Sequence, residues 1–262
     1  MKFAVIGAGA VGGFYGALLS KAGHDVAFVA RGAHREAMLA NGLKILSAPD
    51  SVGGMTVRCQ VESDPAKIGV VDVVILAVKT YSNAETLPAL APLFGPETSI
   101  LTLQNGVDSA EQVAAVFGEA RVIGGATYIA AGIEAPGVIR HNGTHRRIVF
   151  GEYFNPSATL SPRVAALEPV FAAANIQTEA VVDIRPRLWE KFIYLAPMAA
   201  FTGVPKTMRS SLLIDLSQGK KIEVEALQGS VVRRGQATGV PTPIMSALYA
   251  VLKPHAEGPR VD

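Results

Sequence analysis

An α/β fold, with a doubly wound parallel sheet and an all-helical C-terminal part, is what three features of the sequence predict. The chain opens on KFAVIG, a short apolar run ending in glycine, and a helical pattern follows at once. Strand-like and helix-like segments then alternate as far as Asn105-Gly106. That is the order of βαβ units, whose right-handed crossovers build a parallel sheet. Beyond Asp183-Ile184 every patterned stretch reads as helix, so the boundary is placed there: a sheet domain over 1–183 and a helical domain over 184–262.

The elements follow from local chemistry. Ala10–Ala22 carries Phe14, Leu18 and Leu19 on one side, and Gly23 ends it. DVAFVA, Asp25–Ala30, is the second strand. VVDVVILAVK, Val70–Lys79, is apolar on both alternating faces, as a central strand buried on both sides must be. Tyr81–Phe94 reads as helix despite Pro88 and Pro92, SILTLQNG as a strand ending in a turn, and Asp108 or Ser109 as the cap of a helix to Phe117. From Arg121 to Glu152 short β runs are broken at Ala135-Pro136-Gly137 and at Asn142-Gly143, the second break having the look of a hairpin turn. A helix over Ser161–Asn175 and a strand over Ile176–Val182 complete the first domain. Helices are expected over Arg187–Phe201, Leu212–Gln218, Ile222–Ala237 and Ile244–Leu252, with a frayed tail from Glu257 to Asp262.

Composition narrows the function. The 262 residues hold 24 Lys and Arg against 22 Asp and Glu, a formal charge of +2, which argues against a nucleic-acid binder with its concentrated basic face. Hydrophobic residues make up 49% and charged residues 18%, which excludes a disordered chain. Cys59 is alone, so no internal disulfide and no Cys-based metal motif can form. No apolar run reaches the ~18 residues of a membrane span, and the first residues read as a strand rather than a signal peptide. A cytoplasmic protein is expected.

KFAVIGAGAVGGFYG spaces Gly7, Gly9 and Gly12 as GxGxxG. The spacing alone is weak; a strand before it and a helix after it make it a Rossmann-like dinucleotide loop. Gly7 allows the tight turn, Gly9 lets a pyrophosphate approach the backbone, and Gly12 lets helix and sheet pack closely. The loop Gly7–Gly12, with Ala8, Ala10 and Val11 between the glycines, then offers backbone N–H groups to phosphate. Where an NAD enzyme usually carries an acid at the end of the second strand, this chain reads VARG. Arg31 can hold a 2′-phosphate bidentately, so NADP(H) is expected over NAD(H); the plain reading of Arg31 is a solvated surface arginine.

Ligands of open parallel sheets gather beyond the carboxyl ends of the strands. Lys79 and Asn105 stand at two such ends, each directly after a long apolar run. The alternatives are a lysine reaching to water and a bare Asn-Gly turn.

The ordered set GAGAVGG, VARG, AVKT, LQNG, LWEKF and KKIEVEALQG, spread from Lys2 to Leu252, resembles the ketopantoate reductase family (2-dehydropantoate 2-reductase). The resemblance implies NADPH-dependent reduction of a 2-oxo acid in pantothenate biosynthesis. It implies cofactor contacts at Gly7–Gly12, Arg31, Lys79, Asn105 and Glu223. It implies substrate contacts at Lys191, Asn105 and Ser211, and catalytic roles for Lys191 as proton donor and Glu223 beside it. By residue type alone Lys191 reads as a helix-surface lysine. The chemistry agrees with the family role: hydride reaching a ketone carbon leaves charge on oxygen, which an ammonium stabilises and then protonates. An ordinary lysine pKa of ~10.4, supported by a carboxylate, would keep that ammonium charged.

Two departures stand out. Family members commonly carry asparagines four and eight residues after the lysine, where this chain has Leu195 and Ala199 on the same helical face, with a kink expected at Pro197. Family members also have further helices before the RSSLL-type segment, so the helical domain reads as shortened near Val204–Met208. Such a shortening uncovers apolar surface that a homodimer would bury. The reading is an NADPH-dependent 2-dehydropantoate reductase. A related reductase of another 2-oxo acid or ketone, and a non-catalytic NADP-binding module, are the alternatives. His141 and His145 read as surface residues, Trp189 and Phe192 as core contacts, and no nucleophile elbow, P-loop or metal motif is present.

Overall fold

The computed structural model describes residues 1–48, 50–200 and 210–258. The expected junction near Val204–Met208 and the tail at 259–262 lie outside them. The chain divides into two compact units: Met1–Val78, Ser82–Gln104 and Ala110–Arg185 form the first, and Lys79–Tyr81, Asn105–Ser109 and Pro186–Asp262 the second.

The first unit runs β1 (Lys2–Ile6), α1 (Ala10–Lys21), β2 (Asp25–Val29), α2 (Gly32–Asn41), β3 (Leu43–Leu46), β4 (Met55–Val57), β5 (Gln60–Glu62), β6 (Val71–Leu76), α3 (Asn83–Ala89), β7 (Phe94–Thr102), α4 (Ser109–Phe117), β8 (Val122–Ala135), β9 (Val138–Glu152), α5 (Pro162–Ala173) and β10 (Gln177–Asp183). Its strands form one ten-stranded sheet among the described residues, in the order β4-β3-β9-β8-β7-β6-β1-β2-β5, with β10 on β9. β1 pairs in parallel with β2 on one side and β6 on the other. The chain therefore starts at the centre, winds outward through β2, and returns to the opposite flank, the doubly wound pattern whose switch point lies just after β1. Phe14, Leu18 and Leu19 of α1 and Val164, Leu167 and Phe171 of α5 share one buried cluster with Phe3, Val5, Phe28 and Phe150 of the sheet.

Four local expectations are corrected here. The stretch Tyr81–Phe94 is not one helix: a 3-10 turn over Thr80–Ser82, α3 with Pro88 inside it, and a second 3-10 turn over Ala91–Leu93 with Pro92 in its first turn share it. The hairpin turns at Pro136-Gly137, with Ala135 opposite Val138, and not at Asn142-Gly143. The register passes from Ile129–Arg146 to Ala130–Asn142, so Gly143, at φ +73°, sits in a bulge. A left-handed glycine serves either device, which is why the dipeptide misleads. His141 is buried rather than superficial: it lies beside Phe14, its Nδ1 is 3.1 Å from Ser47 Oγ, and its Nε2 is 2.9 Å from the His145 carbonyl. Alternation along β9 turns its ring inward. The helix expected over Ile222–Ala237 starts later: Ile222–Val224 are not helical, and a π-helical turn over Glu225–Gly229 runs directly into the α-helix Ser230–Thr238.

The second unit contributes α6 (Arg185–Ala200, from Pro186 on), α7 (Ser211–Ser217), a π-helical turn over Glu225–Gly229, α8 (Ser230–Thr238) and α9 (Pro243–Leu252). α6 continues through Pro197. The carbonyl that Pro197 cannot serve belongs to Ile193, a residue that is 69% exposed. Phe192 is buried as expected, but Trp189 stays 37% exposed, edge-on to Phe192 with the Arg234 guanidinium 5.2 Å from its ring. No described helix is long and apolar enough to cross a membrane.

Candidate active site

The glycine loop has the shape its spacing demands. Gly7 sits at φ +95°, where a side chain would strain the backbone. A Cβ on Gly12 would stand 2.2 Å from the Gly7 carbonyl oxygen, so glycine is required for the turn to close on α1. Gly9 differs: a Cβ there meets nothing nearer than Ile133 Cδ1 at 4.0 Å. No neighbour within the protein demands glycine at that position, and the open space above it suits a group approaching from outside. Gly9 caps α1 with no side-chain hydrogen bond, and the first turn of α1 carries no acid. Backbone donors and the positive helix end are thus presented without a competing carboxylate, and these residues fit a dinucleotide pyrophosphate. Ala8, Ala10 and Val11 complete the bend.

Arg31 stands at the N-cap of α2, 67% exposed in its side chain, with Nη1 2.9 Å from Glu85 Oε1. The guanidinium is neither buried nor fixed by the fold, and its partner is equally exposed.

The second unit gathers most of the remaining predicted residues. Lys191, on α6, donates from Nζ to Asn105 Oδ1 at 3.1 Å. Burial pushes its ammonium down to about 8, against the opposing pull of the Glu223 charge. The ordinary lysine pKa expected from residue type is therefore corrected. The Asn105-Gly106 bend presents the amide, with Gly106 at φ +95° and pressed close to Ala226 of the π-helical turn.

Glu223 is buried and shared. Its Oε1 accepts from the Thr80 backbone N–H at 3.2 Å and hydroxyl at 3.1 Å, and its Oε2 accepts from Lys79 Nζ at 3.3 Å. Lys79 also donates to Asp215 Oδ2 at 2.6 Å. Burial alone would lower the Lys79 ammonium, but the Glu223 and Asp215 carboxylates outweigh it and hold it above its ordinary value. Asp215 and Thr80 were not singled out in the sequence. Asp215 lies four residues after Ser211 on α7, a helical repeat that was the one available signal. Ser211 itself is exposed at the start of α7, while its neighbour Ser210 is buried and caps that helix, accepting from Leu213 N–H at 3.2 Å. On the Lys191 face of α6, Leu195 is half-buried and Ala199 buried.

The first unit thus carries a glycine-rich strand–helix bend, and the second a half-buried lysine held by an amide. Two family models, described as Ketopantoate reductase PanE/ApbA and its C-terminal counterpart, match residues 3–155 and 190–256. The chain belongs to the ketopantoate reductase family. It is thereby placed among NAD(P)-dependent oxidoreductases with a Rossmann fold. A 2-dehydropantoate 2-reductase of Mesorhizobium japonicum is 30% identical, covering 97% of each chain. That alignment runs to 324 residues against 262 here, so this ketopantoate reductase relative has segments without a counterpart in the present chain. A solved 2-dehydropantoate 2-reductase of Geobacter metallireducens superposes at TM-score 0.87 with 27% identity, over 97% of this chain and 99% of that one. A dimeric ketopantoate reductase of Staphylococcus aureus, 17% identical over 98% and 99% of the two chains, shares the fold at TM-score 0.79.

Proposed function

We propose that the protein reduces 2-dehydropantoate to pantoate with NADPH, that Lys191 gives the proton, and that the reaction takes place in the cytoplasm. The observation that carries this is the Lys191 ammonium on Asn105, depressed to about 8. Near neutral pH it remains mostly protonated, yet is a better acid than a free lysine, which is what a general acid near its working pH requires. Bound NADPH would supply the hydride to the ketone carbon. The alkoxide charge that results is stabilised by the ammonium, which then yields its proton to that oxygen. Asn105 holds the Nζ, and the Glu223 charge keeps it from losing its proton outright. Ser211 and the Asn105 amide N–H groups are donors suited to a carboxylate. Residues 1–183 serve the cofactor through Gly7–Gly12 and Arg31, with Lys79, Asn105 and Glu223 as further contacts, and 184–262 serve catalysis. Pairing with a second copy would cover the exposed Ile193 of α6 and Ile244 of α9.

Steady-state assay tests the reading. Lys191→Ala should lower kcat by about 10²–10⁴ with the cofactor KM little changed. A wild-type protein that oxidises NADPH with no 2-oxo acid would end it. Leu195 and Ala199 favour a second reading, a different 2-oxo acid with an apolar tail, because neither can bond a substrate hydroxyl. A panel in which 2-dehydropantoate is inert and 3,3-dimethyl-2-oxobutanoate is turned over would select it.

A further inference from the structure

His34, on α2, reaches the glycine loop. Its Nε2 lies 2.8 Å from the Ala8 carbonyl oxygen, and its Nδ1 accepts from the Gly137 backbone N–H at 3.1 Å. These two contacts settle the tautomer: Nδ1 receives a proton and so carries none, and Nε2–H donates to Ala8. Half-burial holds the imidazole below its ordinary pKa, against the pull of the Ala8 bond, so the ring stays neutral as this arrangement requires.

Both ends of the bridge are anchored. Ala8 is buried between Gly7 and Gly9 of the loop. Gly137, in the β8–β9 hairpin turn, is buried against Ala37 of α2, and its carbonyl accepts from Lys44 N–H at 2.9 Å. The ring thus ties the loop to a point that α2, β3 and the hairpin hold from three sides.

A trans peptide points its C=O and the following N–H in opposite directions. Drawing the Ala8 carbonyl toward His34 therefore turns the Gly9 N–H the other way. Left untethered, the Ala8–Gly9 peptide can rotate about ψ of Ala8 and φ of Gly9, and the flipped form would set a carbonyl dipole against phosphate. We propose that His34 is a positioning residue for the dinucleotide: through Ala8 it fixes the peptide that presents the Gly9 N–H to the pyrophosphate. The inference rests on the cofactor reading above, since the ligand it serves is the one assigned to this loop.

Calorimetry with NADPH, with thermal melting as a companion measurement, tests it. His34→Leu keeps the apolar packing and loses both bonds; it should weaken NADPH at least tenfold, the scale of one charge-assisted hydrogen bond misdirected. The KM for the 2-oxo acid and kcat at saturating NADPH should stay within twofold. His34→Gln carries an amide N–H to the place of Nε2 and should recover affinity to within about threefold of wild type. A variant that only loosened the fold would lower the melting temperature and both KM values together, and Gln would not discriminate from Leu. Equal NADPH affinity in wild type, His34→Leu and His34→Gln overturns the role of His34 and leaves the reductase reading standing. Wild type that ignores both nicotinamide coenzymes removes both.

Discussion

Lys79 Nζ lies 2.6 Å from Asp215 Oδ2, an ion pair that joins residues 136 apart in sequence. With Glu223 on its other side, Lys79 is held between two carboxylates in a partly buried setting. Removing one partner of such a group strands charge that has already been desolvated. Asp215→Asn should lower the stability of the protein by about 1–2 kcal/mol in urea unfolding, the exposure of Lys79 keeping the loss below that of a fully buried pair. An unchanged midpoint would show that Glu223 alone suffices.

The proton on Lys191 sets a pH dependence. Reduction needs the ammonium, so kcat should fall as pH rises through about 8, and oxidation of the hydroxy acid should rise over the same range. Because the Glu223 charge pulls the Lys191 pKa upward, Glu223→Gln should move this limb to lower pH. Rate profiles from pH 6 to 10 in both directions measure it, and a limb that stays in place in the variant would detach Glu223 from the lysine.

Arg31 faces a choice of partners. Its exposed pair with Glu85 is of the kind worth no more than about 1 kcal/mol, so a 2′-phosphate can displace it. Arg31→Ala should raise the KM for NADPH at least tenfold and leave that for NADH within twofold. Glu85→Gln should lower the NADPH KM by up to about fivefold, the limit such a pair sets. Coenzyme titrations that find NADH favoured by wild type would assign Arg31 to the surface.

Glu152 carries structural rather than catalytic charge. It is buried at the end of β9 and accepts from Ser161 Oγ at 2.6 Å and from Arg163 Nε at 2.8 Å, with a second bond to the Arg163 fork. Burial pushes this carboxyl up, but the Arg163 and Ser161 bonds outweigh it and leave it below its ordinary value. Its stabilisation is therefore present above the unfolded carboxylate pKa and lost as pH falls through the lower folded one. Arg163→Ala should cost about 3 kcal/mol and flatten that acid loss, since the buried carboxylate is left unpaired. Chemical unfolding of both proteins at pH 7 and pH 3 reads the difference.

The glycine loop, the central strands and the later helices were legible because each is written in adjacent residues. KFAVIG and VVDVVILAVK announce buried strands by pattern alone, and Gly7 and Gly12 announce a bend that only glycine can make. Lys191 is legible through the family resemblance, not through its helix, where a half-buried lysine looks like any amphipathic edge. Asp215 carries only its four-residue spacing from Ser211, and Thr80 and His34 no local mark, since what distinguishes all three is a partner far along the chain.

Order along the chain thus settled the doubly wound sheet, the dinucleotide bend and the family, because hydrophobic period and backbone permissiveness are properties of neighbouring residues. Folding alone decided the charge environment: that Lys191 loses much of its basicity, that Lys79 is clasped by two acids, and that an imidazole bonds the Ala8 carbonyl. Desolvation and pairing act through space, and no stretch of sequence contains the distance between groups it does not itself join.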